Sequence, residues 1–361
     1  MFHADTLREC FRHHDWARNK ILTAARGLID QQLDQPFAMG PGSLRAALRH
    51  LYGAERFWFE LWQGTEQPQF PHARTITTVD DIWNARHALA TARDKWLSAL
   101  TPNDLHRRIA VTNREQTVNV PLGGLVLHVC NHGVHHRAQA LNMLRRVGGE
   151  SPGLDYLLFR LEQPTVELDA ATRNKFAASG LAVGSPPALP ATLDVEALQA
   201  YFRYADWSRA RVHAAARALP DDSFDAPFDI GLGTLRKTLL HIRDAEAWWY
   251  ATWTEGPGPF NALPATTTLA KLQGHSDATA QQRDAYLAGC FNDDLQRVVA
   301  AQLRPDLYPR FRLGESMLQL CSHGTHHRAQ ALNMLRHLGS TVPDIDCDAW
   351  LQETGGRENT P

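Results

Sequence analysis

The sequence predicts an all-α protein built from two tandem four-helix bundles. Three observations support this prediction: a length of 361 residues, a repeat that covers the whole chain, and apolar positions at helical spacing within each copy. A chain of this length exceeds the size at which one hydrophobic core keeps growing, so two domains are expected. Four principal helices per copy, one of them reached by a long connection, are typical of a four-helix bundle.

The repeat is clearest in two nearly identical segments. Residues 132–148 and 323–339 agree at 14 of 17 positions. The same offset of 191 residues carries Phe11 to Phe202, near the start of each copy. A near-constant offset along the whole length indicates duplication of an entire domain rather than a short solenoid unit.

Each copy is predicted to be helical, because apolar residues recur at helical spacing between polar segments rich in Gly and Pro. Weak alternation over 107–120 predicts a short hairpin or an extended crossover. In the first copy we expect helices at about 5–29, 43–62, 78–100 and 122–147, with a short closing helix at about 155–161. The second copy repeats this plan.

The segment 164–192 is rich in Pro and small residues, which is typical of a linker. We therefore expect a first bundle at 1–165, a linker at 166–191 and a second bundle at 192–361. A duplicated domain in one chain also predicts a monomer in which the two bundles pack as an intramolecular pseudo-dimer with a pseudo-twofold axis.

Composition excludes several classes of function. The net charge of −2 and the lack of a Lys/Arg run on one helix face provide no footprint for nucleic acid. No stretch approaches 18 uninterrupted apolar residues, and the first residues lack a signal-peptide pattern, so no membrane partner and a cytoplasmic location are expected. Five cysteines without a CxxC argue against a disulfide framework or a thiolate zinc site.

Histidine is abundant, with 18 in the chain, and several occupy matched places in the two copies. Two imidazoles four residues apart on a helix point the same way, as in His132 and His136. A further histidine, His50, lies on an apolar stripe of the predicted second helix that we expect to face the bundle interior. A lone inward histidine is commonly bonded to a backbone carbonyl, but a trio that occurs twice favours a metal.

The candidate metal ligands are His50, His132 and His136 in the first copy, and His241, His323 and His327 in the second. Three neutral nitrogens that leave coordination positions open are typical of a catalytic rather than a closed structural site. Imidazole suits zinc, nickel, iron or copper, and zinc is the default expectation.

Other polar residues follow the histidine pair on the same helix. Gln139 and Gln330 lie three residues after the last ligand, where each is either a hydrogen-bond partner of a ligating imidazole or a polar packing group. His135 and His326 lie about 60° off the ligand direction on a helical wheel, so we expect them beside the site rather than in it.

The two copies differ close to the predicted ligands. One turn before the histidine pair, the first copy has His128 and the second has Gln319. One turn before the second-helix histidine, the first copy has Ala46 and the second has Lys237. We expect His128, Lys237 and Gln319 at the mouths of the two pockets. These differences predict different substrates, or one active and one regulatory site.

The inward histidine followed by Asn131-His132-x-x-x-His136-Arg137-Ala-Gln139 resembles the DinB/YfiT family. The resemblance covers essentially the whole chain as two copies, with Ala138 and Ala329 where Gly is commoner. It implies an up-down-down-up four-helix bundle, the two triads as ligands, and zinc or nickel as the metal. Despite the family name, DNA binding does not follow.

The resemblance also bears on activity. Better-understood members of the family are metal-dependent S-transferases that use a low-molecular-weight thiol such as bacillithiol or mycothiol; others isomerise maleylpyruvate, and one related domain serves in ergothioneine assembly. The first hypothesis is therefore transfer of a thiol to a small electrophile, with hydrolysis or isomerisation as variants. The alternative is a non-catalytic metal- or small-ligand-binding scaffold or sensor. In a third hypothesis one copy is purely structural.

Overall fold

The computed structural model describes residues 3–71, 75–113, 116–162, 193–258, 260–303 and 308–354. The predicted linker at 166–191 lies outside these ranges. Helices dominate the described residues, and the strands form two short hairpins, which confirms the all-α prediction. Contacts divide the chain into two compact units. The first unit holds the described residues of 1–152 and 344–361, and the second unit those of 153–343.

The first unit follows the predicted order of helices. Its elements are α1 (Ala4–Arg26), α2 (Asp30–Leu33), α3 (Leu44–Trp62), α4 (Val79–Ser98), α5 (Pro102–His106), β1 (Arg108–Asn113), β2 (Gln116–Pro121) and α6 (Leu122–Arg146). Ser43 begins α3 because its side chain accepts the N–H of Ala46 at 3.2 Å. Thr78 and Asp81 form a reciprocal capping box that begins α4.

The segment between α4 and α6 contains a β-hairpin. Strands β1 and β2 pair in antiparallel register, from Arg108 opposite Pro121 to Asn113 opposite Gln116. Of the two predicted possibilities for this segment, the structure therefore has the hairpin, and β2 leads directly into α6. Gly148, at a φ of +76°, follows the C-terminal end of α6, as expected for a residue that must adopt the left-handed region.

The second unit repeats the plan. Its elements are α7 (Tyr156–Glu162), α8 (Val195–Arg217), a 3₁₀ turn (Asp221–Asp225), α9 (Leu235–Thr254), α10 (Leu269–Ala288), a second 3₁₀ turn (Asn292–Gln296), β3 (Val298–Ala300), β4 (Arg310–Arg312) and α11 (Leu313–His337). The last described helix, α12 (Cys347–Thr354), belongs to the first unit.

The two short closing helices are exchanged between the sequence copies. Helix α7 packs on α11 in the second unit, where the N–H of Leu157 donates to Gln319 Oε1 at 2.8 Å. Helix α12 packs on α6 in the first unit, where the N–H of Asp348 donates to His128 Nδ1 at 3.2 Å. The compact units therefore differ from the predicted boundaries at 165 and 192, because each unit buries the closing helix of the other copy.

The four long helices of each unit bury an apolar core. In the first unit, α1 contributes Phe11 and Ile21, α3 contributes Trp62, and α6 contributes Leu125 and Met143, each at most 1% exposed. All five cysteines lie in the described ranges and carry free thiols. No helix in the described part of the chain has the length and apolar character needed to cross a membrane.

Candidate metal centres

Each compact unit gathers three imidazoles between two of its long helices. In each trio the nearest ring nitrogens all lie within 4.8 Å of one another, and every member is half-buried. The first trio is His50 from α3 with His132 and His136 from α6; the second is His241 from α9 with His323 and His327 from α11. The structure thus brings together all six histidines that the sequence selected.

The spacing of the nitrogens fits a small divalent cation. Nε2 of His50 lies 3.2 Å from Nε2 of His132, and the matching distance from His241 to His323 is 3.0 Å. A tetrahedral zinc ion with Zn–N bonds of about 2.0–2.1 Å holds its nitrogen ligands about 3.3 Å apart. The residues present therefore fit the metal that the family resemblance implies.

The imidazoles are held in the neutral form that a metal requires. Burial lowers the pKa of His323 to about 3, and the neighbouring His241 lowers it further. Burial also holds the pKa of His132 well below its ordinary value, with His136 as the next contribution. Burial lowers the pKa of His241 as well, although the carboxylate of Asp155 partly offsets this effect. The lone pairs needed for coordination are thus available at neutral pH.

A glutamine fixes the orientation of one ligand in each unit. Nδ1 of His136 donates to Gln139 Oε1 at 2.8 Å, and this hydrogen bond leaves Nε2 unprotonated toward the site. Gln139 Nε2 donates in turn to His135 Nε2 at 3.0 Å, which occupies that imidazole outside the trio. The second unit repeats the arrangement through Gln330, at 2.8 and 2.9 Å. Of the two sequence-based possibilities for this glutamine, the structure has the hydrogen-bond partner.

A glycine in each unit makes room for this glutamine. Gly40 has a φ of +48°, and a Cβ at that position would lie 2.1 Å from Gln139 Oε1. Gly231 has the same φ, and its Cβ would lie 2.2 Å from Gln330 Oε1. Sequence reasoning missed both residues. A Gly-x-Gly motif precedes α3 and recurs before α9 at the repeat offset. This repeated motif could have identified both glycines.

The residues predicted at the pocket mouths lie in different surroundings. His128 is buried, with its ring centroid 5.5 Å from that of His132, and its Nδ1 accepts the N–H of Asp348, the second residue of α12. Gln319 is also buried and holds α7 in the same way. Lys237 is exposed in the first turn of α9. A role for these three residues in binding a ligand stays a prediction.

An aromatic wall beside His50 was not predicted. The ring of Phe70 stacks on the imidazole of His50 at 6.1 Å between centroids and on Phe57 at 5.5 Å. Gly53 permits this packing, because a Cβ there would lie 2.7 Å from the Phe70 ring. In the second unit, Asp244 stands at the position that corresponds to Gly53. The surroundings of the two candidate metal sites therefore differ.

A third group of potential ligands, His14, Asp15 and Glu55, lies between α1 and α3. Glu55 is 1% exposed and forms ion pairs with the guanidinium groups of Arg18 and Arg93, and Arg93 also pairs with Asp15. These guanidinium groups already supply the positive charge that a cation would bring. We therefore assign this group as a buried ion-pair network.

Comparison with known proteins agrees with the predicted family. The model of the DinB family matches residues 1–168 and 194–358, that is, both sequence copies. The chain is similar to Protein DinB of Bacillus subtilis (strain 168), at 23% identity over 167 residues that cover 43% of this chain and 94% of that protein. No solved structure matches the chain.

Proposed function

Because the chain belongs to the DinB family, we propose that it is a metal-dependent S-transferase that joins a low-molecular-weight thiol to a small electrophile. The observation that carries the proposal is the convergence of three neutral, half-buried imidazoles in each unit. Zinc is the expected metal and nickel the second choice. Three protein ligands leave positions at which a small molecule can bind.

The chemistry follows from this donor set. His50, His132 and His136, and in the second unit His241, His323 and His327, would hold a divalent cation. The cation would supply a lower pKa for a bound thiol, whose proton would go to solvent. The sulfur then forms a bond to the electrophilic carbon, and the leaving group departs with its bonding electrons.

The protein's own residues hold the geometry for this reaction. Gln139 keeps the imidazole of His136 in the tautomer that presents Nε2 to the site, and Gln330 does the same for His327. Phe57 and Phe70 form an apolar wall on one side of His50.

Metal content tests the two sites separately. The purified protein is expected to bind two divalent ions per chain. The variants His50→Ala and His241→Ala should each bind one, and the double variant none. The substitution His135→Ala is the matched control, since it removes an adjacent imidazole that lies outside the trio. Full metal content in the double variant would contradict the proposed sites.

Activity is tested with the metal-loaded protein, monochlorobimane as electrophile, and bacillithiol, mycothiol, glutathione or cysteine as thiol. We expect fluorescent adduct with at least one thiol and its loss in the double variant. Assays of the single variants show which unit supplies the activity. Two bound metals without turnover by any thiol would instead favour the alternative, a metal- or small-ligand-binding scaffold or sensor.

A further inference from the structure

The second unit contains a cavity of about 20 Å³ between its four long helices. A space of about 10–15 Å³ is enough for one water-sized occupant. Both acidic and basic side chains line it, together with apolar groups. The polar lining residues are Asp206, Arg209, Glu246, Arg283 and Arg328, and Ala205 forms part of the wall.

The cavity lies where the first unit holds an imidazole. At the repeat offset, Ala205 of α8 corresponds to His14 of α1. A Cβ on Gly133 of α6 would lie 2.3 Å from Cε1 of His14. The equivalent Gly324 of α11 has only atoms of Arg328 within 4 Å of such a Cβ. The change from histidine to alanine therefore leaves the space open in the second unit.

In the first unit the imidazole of His14 partners a buried arginine. Nη1 of Arg137 lies 2.9 Å from His14 Nδ1, and His14 Nε2 lies 3.5 Å from a carboxylate oxygen of Glu55. Burial lowers the pKa of His14 to about 3, with the Arg18 guanidinium as the next cause, so the ring is neutral and accepts the hydrogen bond from Arg137.

The corresponding arginine in the second unit lacks this partner. Arg328 is 3% exposed, and its Nη2 donates to Thr325 Oγ1 at 3.0 Å. Its Nε has no hydrogen-bond acceptor, and no carboxylate lies within ion-pair distance of it, among the residues that the structure describes. A buried cation without a counter-ion is costly.

Each of the other charged groups of the cavity has an ion-pair partner. Arg209 pairs with Asp277 at 2.9 Å and with Asp206 at 3.1 Å, and Arg283 pairs with Asp206 and Glu246. The unmatched group is therefore a hydrogen-bond donor that carries positive charge. A water molecule would satisfy the N–H, but only an anion would also compensate the charge.

We propose that the second unit binds a small monovalent anion of halide size in this cavity, as the counter-ion of Arg328. The small volume suits a small anion, and the half-buried Ala205 leaves a path for an ion from solvent. The first unit has no such site, because His14 occupies the space. This inference does not depend on the proposed transferase activity.

Thermal unfolding of the metal-loaded protein in sodium chloride tests the proposal, with sodium gluconate at equal ionic strength as the control. A ligand that binds only the folded state raises the unfolding temperature as its concentration increases. We expect chloride, and not gluconate, to raise the unfolding temperature of the second unit. Sodium formate is included as a second small anion, and a response to formate without one to chloride would overturn the assignment to halides.

Two variants identify the site, because chloride can also bind at an open metal. Ala205→His introduces into the second unit the imidazole that His14 supplies in the first unit, so the cavity should be filled. This variant should lose the chloride response while its metal content stays unchanged. The reciprocal change, His14→Ala, opens the first unit and should add a chloride response there. A chloride response that persists in Ala205→His would refute the site.

A crystal grown or soaked in sodium bromide supplies a measurement that does not depend on how the variants fold. We expect an anomalous peak within hydrogen-bond reach of Arg328 Nε and none beside His14. Density for water alone at Arg328 would overturn the inference, as would a bromide peak confined to the metal centres.

Discussion

Gln139 Oε1 lies 2.8 Å from Nδ1 of His136, and this one contact determines which nitrogen of the ligand faces the metal site. A hydrogen bond of this kind holds both the ring orientation and the tautomer. We predict that Gln139→Leu weakens metal binding in the first unit about 10- to 100-fold, which is the usual effect of losing such a partner. Competition with a chromogenic chelator measures the affinity.

Gln139→Glu is the conservative control for this prediction. It keeps an oxygen acceptor opposite His136 Nδ1, so metal affinity should be largely retained. The second unit serves as an internal reference, because its Gln330 contact is unchanged. Equal affinities in the Leu variant and the unaltered protein would show that the contact does not support the ligand.

Gly40 acts on the metal site through Gln139. The substitution Gly40→Ala adds a Cβ that would lie 2.1 Å from Gln139 Oε1, so the amide must move and metal affinity in the first unit should fall. Gly42→Ala is the matched control, since Gly42 also has a positive φ, +92°, but a Cβ there has nothing within 4 Å. Both changes should destabilise the fold by about 1 kcal/mol through backbone strain. A similar loss of metal affinity in both would argue against the contact.

The two buried glutamates differ in how fully they are paired. Burial opposes ionisation of Glu55, yet Arg18 and Arg93 hold its pKa well below the ordinary value. Burial raises the pKa of Glu246, and Arg283 offsets this only in part. We predict that Glu55→Gln lowers the free energy of unfolding by about 3–5 kcal/mol, as for breaking a buried ion pair, and Glu246→Gln by less. Urea unfolding followed by circular dichroism provides the comparison, and a larger loss from Glu246→Gln would contradict it.

His213 should make stability depend on pH. Burial lowers its pKa from 6.5 to about 4, with Arg209 as the next cause and Asp277 opposing both. Between these two values the unfolded chain binds the extra proton, so the contribution is complete above pH 6.5 and falls as the pH drops toward 4. The loss is on the order of 1.4 kcal/mol per pH unit.

The variant His213→Gln isolates this contribution. Urea unfolding of the metal-free protein at pH 7.5, 6 and 5 gives the free energy of unfolding as a function of pH. In the variant this free energy should fall less steeply with decreasing pH, by the amount that corresponds to uptake of one proton on unfolding. The other buried histidines remain in both proteins and cancel in the difference. Identical slopes would mean that His213 does not titrate on unfolding.

The helical architecture was predictable because its signals are local. Apolar spacing and caps such as Ser43 mark the helices, and the repeat supplies an internal comparison that places His50 beside His132 and His136. The match to the family model confirms the predicted family, and the observed helices confirm the predicted fold class. The aromatic wall at Phe70 depends on a loop conformation and on Gly53, which no periodic pattern encodes.

The exchanged closing helices could not be predicted either. The repeat shows that a short helix follows each bundle, but both copies offer a similar surface on which it can pack. Which surface is chosen depends on tertiary contacts such as Leu157 with Gln319 and Asp348 with His128. The cavity beside Arg328 exists because the second unit has an alanine where the first unit has His14. The sequence shows this difference, but it does not show that arginine side chains surround the resulting space.

The position of α12 in the first unit has a consequence for biosynthesis. Gly124 on α6 lies so close to Leu351 that a Cβ there would be 2.8 Å from the leucine side chain, so this packing is part of the first unit's interior. During translation, residues 1–152 leave the ribosome long before residues 347–354 exist. The nascent first unit must wait for this late-made helix, with an apolar surface open to chaperones, before its native packing is complete.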